Sequence, residues 1–336
     1  MISSTVLGPV PSIPRRAAKP RVPGAIRQSR FVAIIVAAGL FLQASGTAQS
    51  ATTAVAGLAH RAALIDTYDA ILNADFDVAS SRMAPACVAE RVWCDVLNAV
   101  RVWWEIALDP DSRVHDERFS RAVERAVTSA DDWAERAPTR AEAWFAVGAA
   151  YSVRAQWRVE RQQHLAAARD GKRIKNALER ALALDPLLHD ALFGIGMYRY
   201  YAAVAPAGLR LLRWLLLLPG GDRKAGLEQM MDASEKGEVI SGEAAYQLHL
   251  VYLWYEDRPA DALRLIRELQ QRYPRNPLFV IIEAKILDVY FHDIEASSKV
   301  LRTLIARAQS ADVNESALTL RRARALLNAA RAARAR

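Results

Sequence analysis

The strongest constraint on the fold is a pattern of helix pairs that returns every 34 residues. In residues 242–276, Tyr246 lies on one predicted helix, and Ala262 and Ile266 lie on the next. Ala296 follows Ala262 by 34 residues and takes the same small-residue place. Apolar residues spaced by three or four positions indicate amphipathic helices, and self-similarity at a fixed period indicates stacked repeats. The sequence therefore predicts helix pairs stacked side by side.

The pattern continues towards the N-terminus. Trp144, Gly148 and Tyr151 occupy a large, a small and an aromatic position, and Gly196 takes the small position of a later pair. We expect small residues where two helix backbones cross, because a larger side chain would push the helix axes apart. Aromatic residues of this pattern are expected to be core rather than ligand contacts. The predicted packing positions are Trp144, Gly148, Tyr151, Ala181, Gly196, Ala262 and Ala296.

These motifs resemble the tetratricopeptide repeat, a module of two antiparallel helices, over residues 58–308. The resemblance implies an all-α fold, namely a right-handed α-solenoid of antiparallel helix pairs that is stabilised by stacking between neighbours. Two insertions interrupt the pattern, one after Tyr151 and one from Ala202 to Gly221. The composition agrees with an all-α fold, because 15 Gly and 14 Pro in 336 residues are few for a loop-rich β protein.

The second insertion belongs to a segment, residues 198–222, that combines aromatic residues, a short apolar helix and a Pro-Gly-Gly stop before Asp222, which we expect to cap the next helix. The segment has three interpretations: extra core, an apolar surface in the concave groove, or contact with a membrane surface. Its apolar helix is too short to span a bilayer. The side chains proposed to contact a partner or a lipid are Tyr200, Tyr201, Leu211, Trp214 and Leu215.

Residues 180–277, with Gly221-Asp222-Arg223 after the apolar helix, are also similar to exported bacterial tetratricopeptide-repeat proteins. A more distant similarity is to the tetratricopeptide repeat domain 39 and inclusion body clearance protein group. This resemblance supports the fold and implies no chemistry.

The N-terminal segment, residues 1–48, has the order of a secretory signal peptide: a basic stretch, an apolar run from Phe31 to Leu42, and small residues around a cleavage site near Ala48. We therefore expect Sec-type export to the periplasm or the outer face of the inner membrane. The alternative is an uncleaved anchor, although 12 apolar residues fall short of the roughly 20 that a spanning helix needs.

Removing this leader changes the charge of the chain. The net charge is +8, and the leader contributes six basic residues and no acid, so the rest carries +2. This balance gives little support for a nucleic-acid partner, and we expect none. Residues 309–336 are predicted to form a basic C-terminal capping helix, which either lies in solvent or contacts anionic lipids or an acidic partner.

The chain has two cysteines, Cys87 and Cys94. In an oxidising compartment an even number of cysteines favours a disulfide. Seven residues along one helix rise by about 10 Å, which is too far for a disulfide. A bond therefore requires residues 85–87 to fold back as a turn, and the alternative is two separate buried thiols.

No catalytic, metal-binding or cofactor-binding motif stands out, because the six histidines are scattered and the sequence has no HExxH, G-x-S-x-G or Walker motif. We predict a non-catalytic protein-protein interaction scaffold of the cell envelope that binds an unknown protein or peptide in its concave groove. One alternative is membrane or apolar-ligand binding through residues 198–222. The other is an all-α toroid acting on carbohydrates, for which Asp131, Asp132 and Glu135 are the densest set of carboxylates.

Overall fold

The computed structural model describes residues 58, 60–88, 90–204 and 220–334. These residues form thirteen α-helices and no strand, which confirms the all-α prediction. The helices are α1 (Arg61–Leu72), α2 (Phe76–Ala86), α3 (Val92–Leu108), α4 (Asp116–Arg136), α5 (Ala141–Glu160), α6 (His164–Leu184), α7 (Asp190–Val204), α8 (Arg223–Lys236), α9 (Ser241–Trp254), α10 (Pro259–Arg272), α11 (Pro277–Val289), α12 (Ile294–Gln309) and α13 (Ser316–Arg334).

Local sequence explains where several helices begin and which face they bury. Asp222 accepts a hydrogen bond from the backbone N of Ala225 at 3.0 Å, so it caps α8 as predicted. Asp293 caps α12 in the same way, accepting from Ala296 N at 2.8 Å. Helix α4 buries one apolar stripe with helical spacing, and its polar residues lie on the other face. The buried stripe of α4 consists of Phe119, Ala122, Val123, Ala126, Val127, Ala130, Trp133 and Ala134.

Helices adjacent in sequence pack against one another along the whole described chain, and the predicted pairing is therefore confirmed. The most extensive contacts are within the pairs α5–α6 and α7–α8. The first helices of the first four pairs also contact one another in succession, as α1–α3, α3–α5 and α5–α7. Together with α9 and α11, these helices form an inner row, while the even-numbered helices α2 to α12 pack outside it.

The inner row curls back on itself, because α1 contacts α9 and α3 contacts α11. The amide of Asn276 donates a hydrogen bond to the carbonyl oxygen of Leu72 at 2.6 Å. Trp104 of α3 lies edge-on to Phe279 of α11, with ring centroids 6.0 Å apart. The fifth pair thus touches the first pair, and the sixth touches the second.

The extra residues after Tyr151 do not form a loop. Helix α5 continues to Glu160 and spans 20 residues, and α6 begins at His164 and spans 21. The residues predicted to form the first insertion therefore lie in the last turns of α5, the short turn after it and the start of α6. The second insertion lies largely in residues 205–219, which are outside the described residues.

Small residues do lie where helices cross. A Cβ atom on Gly148 of α5 would collide with the side chain of Leu178 on α6. Where α7 crosses α8, a Cβ atom on Gly196 would lie 2.7 Å from the carbonyl oxygen of Gly226. A Cβ atom on Gly226 would lie 2.6 Å from the backbone N of Tyr200. Backbone thus meets backbone at this crossing, which only glycine allows.

The structure joins Cys87 and Cys94 by a disulfide with their Cα atoms 5.4 Å apart. Cys87 ends α2, and Cys94 lies in the first turn of α3. The chain therefore folds back between the two cysteines, which is the geometry that a bond over seven residues requires. The bond links the end of α2 to the start of α3, that is, the first helix pair to the second.

The C-terminal helix α13 packs on α12 and covers the end of the helical row. Its Ala323 and Leu327 are buried in a small core with Leu301 and Leu304 of α12. Arg321 of α13 forms an ion pair with Asp109 at the end of α3, N to O 3.0 Å. The leader predicted at residues 1–48 lies outside the described residues.

Candidate functional site

The inner row surrounds an apolar cleft of about 70 Å³. Residues of α1, α3, α5, α7 and α9 line it, together with Val239 and Ile240 of the loop before α9. The cleft is not sealed, because Ala149, Ser152 and Gln156 of α5 line it and remain partly exposed. Its apolar walls include Val96, Val100, Phe145, Val153 and Phe193.

Close packing of α5, α6 and α7 shapes one wall of this cleft. Leu178 of α6 lies between Gly148 of α5 and Gly194 of α7, and a Cβ atom on either glycine would collide with it. All three residues line the cleft. Because neither glycine has a side chain, α5, α6 and α7 can pack closely around the side chain of Leu178.

Trp93 and Tyr68 form aromatic parts of the wall and are held by hydrogen bonds. The indole N of Trp93 donates to Glu142 Oε1 at 2.9 Å, which orients the ring from the α5 side. The hydroxyl of Tyr68 lies 3.5 Å from Glu243 Oε2. These contacts connect the first, second, third and fifth helix pairs around the cleft.

Glu243, in the first turn of α9, is one of two carboxylates that line the cleft, and only 3% of it is exposed. Trp104 Nε1 donates to Glu243 Oε2 at 3.1 Å, and Gln247 Nε2 donates to Oε1 at 3.1 Å. Burial raises the pKa of Glu243, and hydrogen bonds from Gln247, Gln156, Trp104 and Tyr68 partly oppose that rise. The donors around this carboxylate are all neutral.

Asp190, at the start of α7, is a second buried carboxylate of the cleft wall. It accepts hydrogen bonds from the backbone N atoms of Glu238, Val239 and Ile240 at 3.1, 2.9 and 2.8 Å. These bonds hold the loop between α8 and α9 against α7. The loop in turn positions the N-terminus of α9 and therefore Glu243.

The predicted packing residues lie at helix interfaces. Gly148, Ala181, Gly196 and Ala262 are buried, and Ala296 is partly buried against the core. The two predicted aromatic positions are only partly buried. The indole N of Trp144 donates to the carbonyl oxygen of Pro138 at 3.0 Å, and the hydroxyl of Tyr151 donates to Asp131 Oδ2 at 2.8 Å.

The residues proposed to contact a partner or a lipid separate into two groups. Tyr200 is fully buried and its hydroxyl donates to Glu256, so it leaves no exposed surface for a partner. Tyr201 packs edge-on against Tyr200 and Tyr255, with ring centroids 5.7 and 5.5 Å apart. These two tyrosines thus anchor the end of α7. The other three, Leu211, Trp214 and Leu215, lie outside the described residues.

The carboxylates considered for a toroidal enzyme do not reach the cleft. Asp131 accepts hydrogen bonds from Tyr151 and, at 2.7 Å, from Arg173, between α4, α5 and α6. Asp132 and Glu135 are exposed on α4, which packs outside the inner row. The cleft carboxylates, Glu243 and Asp190, were missed by the sequence analysis.

The described residues contain neither a cluster suited to a metal ion nor a helix suited to span a membrane. No group of three or more His, Cys, Asp or Glu side chains in this part of the chain is placed to hold a metal ion. None of the described helices combines the length and the apolar character needed to cross a membrane. Comparison of the chain with protein-family models and with curated proteins finds no match.

Proposed function

We propose that this chain is a non-catalytic binding protein of the tetratricopeptide-repeat type, built as a right-handed α-solenoid and exported to the cell envelope. It takes a protein or peptide partner on the inner face of its helical row. The cleft carries this proposal, because five inner helices converge on an apolar depression that contains two buried carboxylates. Binding sites are commonly concave and mostly apolar, with a few polar groups that orient the ligand.

The site proposed on the inner face is narrower than the open groove expected of such repeats. The contacts α1–α9 and α3–α11 occupy part of that groove with the chain's own helices. What remains accessible is the cleft beside Ala149, Ser152 and Gln156. The partner is therefore expected to insert one side chain rather than to lie along the whole row.

Export remains part of this proposal and is supported by the order of residues 1–48. The disulfide between Cys87 and Cys94 fits an oxidising compartment. Membrane contact through residues 198–222 is an alternative that depends on side chains outside the described residues.

Closing the cleft tests the proposal. In Ser152→Phe the new ring covers the accessible side of the cleft, and Ser81→Phe makes the same change on the exposed side of α2. Full-length parent and variants serve as bait in a periplasmic extract, and captured proteins are quantified by mass spectrometry. We expect the parent and Ser81→Phe to retain the same partner, and Ser152→Phe to lose it while keeping its helical circular dichroism.

Two results count against the proposal. If the parent enriches no protein over bare resin, the chain is not a binding protein of this compartment. If folded Ser152→Phe captures the same partner in the same amount, the cleft is not the binding site.

A further inference from the structure

Glu243 differs from most of the other buried acids in the described part of the chain, because it forms no ion pair there. Three of the other four have an arginine within ion-pair distance, and the fourth, Asp190, accepts three backbone N–H groups. The ion pairs are Glu142 with Arg140 at 2.8 Å, Asp170 with Arg154 at 2.9 Å, and Glu283 with Arg267 at 2.8 Å.

The cleft around Glu243 offers no counter-ion. Among the described residues that line it, there is no Lys, Arg or His, whereas two carboxylates are present. A buried carboxylate without a positive partner is costly, even when neutral groups donate hydrogen bonds to it. A cation beside Glu243 would stabilise the ionised carboxylate, which burial alone disfavours.

The walls of the cleft suit the same kind of group. Tyr68, Trp93, Trp103, Phe145 and Phe193 place aromatic rings around the space. The negative faces of aromatic rings attract ammonium groups, most strongly where water is excluded. The aliphatic side chains between the rings can cover methylene groups.

The size of the cleft limits what can enter. Its volume of about 70 Å³ is well below the roughly 150 Å³ of an engineered cavity that binds benzene. An aromatic ring or a lipid chain is therefore too large, while the slender end of an aliphatic amine is not. The ammonium end of lysine has both the required charge and the required shape.

We propose that the cleft binds a lysine side chain of the partner, with the lysine methylenes against the apolar wall and the ammonium group beside Glu243. This assignment rests on the proposed function and names the group that the inner face recognises. Gln156, partly exposed at the accessible side, lies next to Gln247, whose Nε2 donates to Gln156 Oε1 at 3.1 Å. These amides form the polar side of the path to Glu243.

The direct test uses n-butylammonium as a probe of the lysine side chain, with 1-butanol as a neutral probe of similar shape. Full-length parent, Glu243→Gln and Glu283→Gln are titrated with both compounds and followed by calorimetry and NMR. Glu283→Gln removes a buried carboxylate elsewhere on the inner row. We expect Glu243→Gln to weaken butylammonium binding at least about tenfold, with no comparable change in Glu283→Gln or with 1-butanol.

Ser152→Phe provides a second variant, since it leaves Glu243 in place and blocks the cleft. It should also lose butylammonium binding. The proposal is overturned if Glu243→Gln binds butylammonium as the parent does, or if 1-butanol binds the parent as tightly as butylammonium does.

The partner experiment separates this proposal from the proposed function. We expect acetylation of lysines in the extract, or addition of butylammonium, to prevent capture by the parent. If Ser152→Phe abolishes capture while Glu243→Gln and acetylation do not, the partner binds at the cleft, but it does not bind through a lysine side chain. If butylammonium binds at Glu243 but partner capture survives acetylation, the cleft takes a free amine and not a partner lysine.

Discussion

The crossing of α7 and α8 provides the sharpest test of the packing, through the substitution Gly226→Ala. The added methyl would lie 2.6 Å from the backbone N of Tyr200 and 2.7 Å from the carbonyl oxygen of Gly196. Real Cβ atoms are essentially never this close to other heavy atoms, and backbone atoms cannot rotate away. The two helix axes must therefore separate, and the contacts along the whole pair loosen with them.

The magnitude follows from two opposing effects. Overpacking a tight interface costs about 1 to 3 kcal/mol, and the upper end applies to Gly226 because the obstacles are backbone atoms. Alanine favours a helix over glycine by about 1 kcal/mol, which offsets part of this cost. We expect Gly226→Ala to lower the free energy of unfolding by about 2 kcal/mol.

Gly171→Ala is the matched control. Gly171 lies inside α6, and its added methyl would meet only Tyr198 Cδ2, at an ordinary 3.7 Å. Helix propensity then acts alone, so this variant should gain about 0.5 to 1 kcal/mol. Urea unfolding followed by circular dichroism measures both variants. If Gly226→Ala is as stable as Gly171→Ala, the backbones of α7 and α8 do not touch at this crossing.

Four further predictions concern packing, acid stability, redox state and export. Gly148→Leu should lower the melting temperature, and an unchanged value would remove Gly148 from the α5–α6 interface. Burial lowers the pKa of His249 from 6.5 to about 4. The unfolded chain therefore protonates His249 at a higher pH than the folded protein does. Between pH 6.5 and pH 4 the free energy of unfolding falls by about 3 kcal/mol, because protons bind preferentially to the unfolded state. His249→Leu should therefore lose less stability than the parent between pH 7 and 4.5 in urea titrations, and equal losses would contradict this. Thiol labelling of unfolded, unreduced exported protein should find neither Cys87 nor Cys94 free, and reduction should cost about 2 kcal/mol, whereas two labelled thiols would rule out the bond. Mass spectrometry of the native protein should find an N-terminus near Gln49, and an intact leader in soluble cytosol would refute export.

The helices and their pairing were predictable because their signals are local. Asp222 caps a helix through the backbone of Ala225, only three residues later. The repeat is visible from the spacing between Ala262 and Ala296, which is 34 residues. The length of α5 also had a local signal. Residues 152–160 contain neither Gly nor Pro, so nothing ends the helix after Tyr151, and the residues predicted to be an insertion continue α5.

The candidate site was not predictable in the same way. Glu243 stands in the first turn of a helix, where an acidic residue is usual and is normally exposed. Its burial depends on Trp104 and Tyr68, which lie 139 and 175 residues earlier in the chain. No local pattern shows that the first and fifth helix pairs meet, and the cleft exists only because they do.

The return of α9 to α1 and of α11 to α3 also changes how the molecule should unfold. In an open repeat array each unit touches only its neighbours, so the ends fray first and units can be removed one at a time. Here the first helix loses a neighbour when the fifth pair opens, since α9 contacts α1 and Tyr273, at the end of α10, donates a hydrogen bond to Asp69 of α1 at 2.8 Å. Early and late helix pairs are thereby joined into one cooperative unit, in which local opening of either end also breaks contacts of the other end.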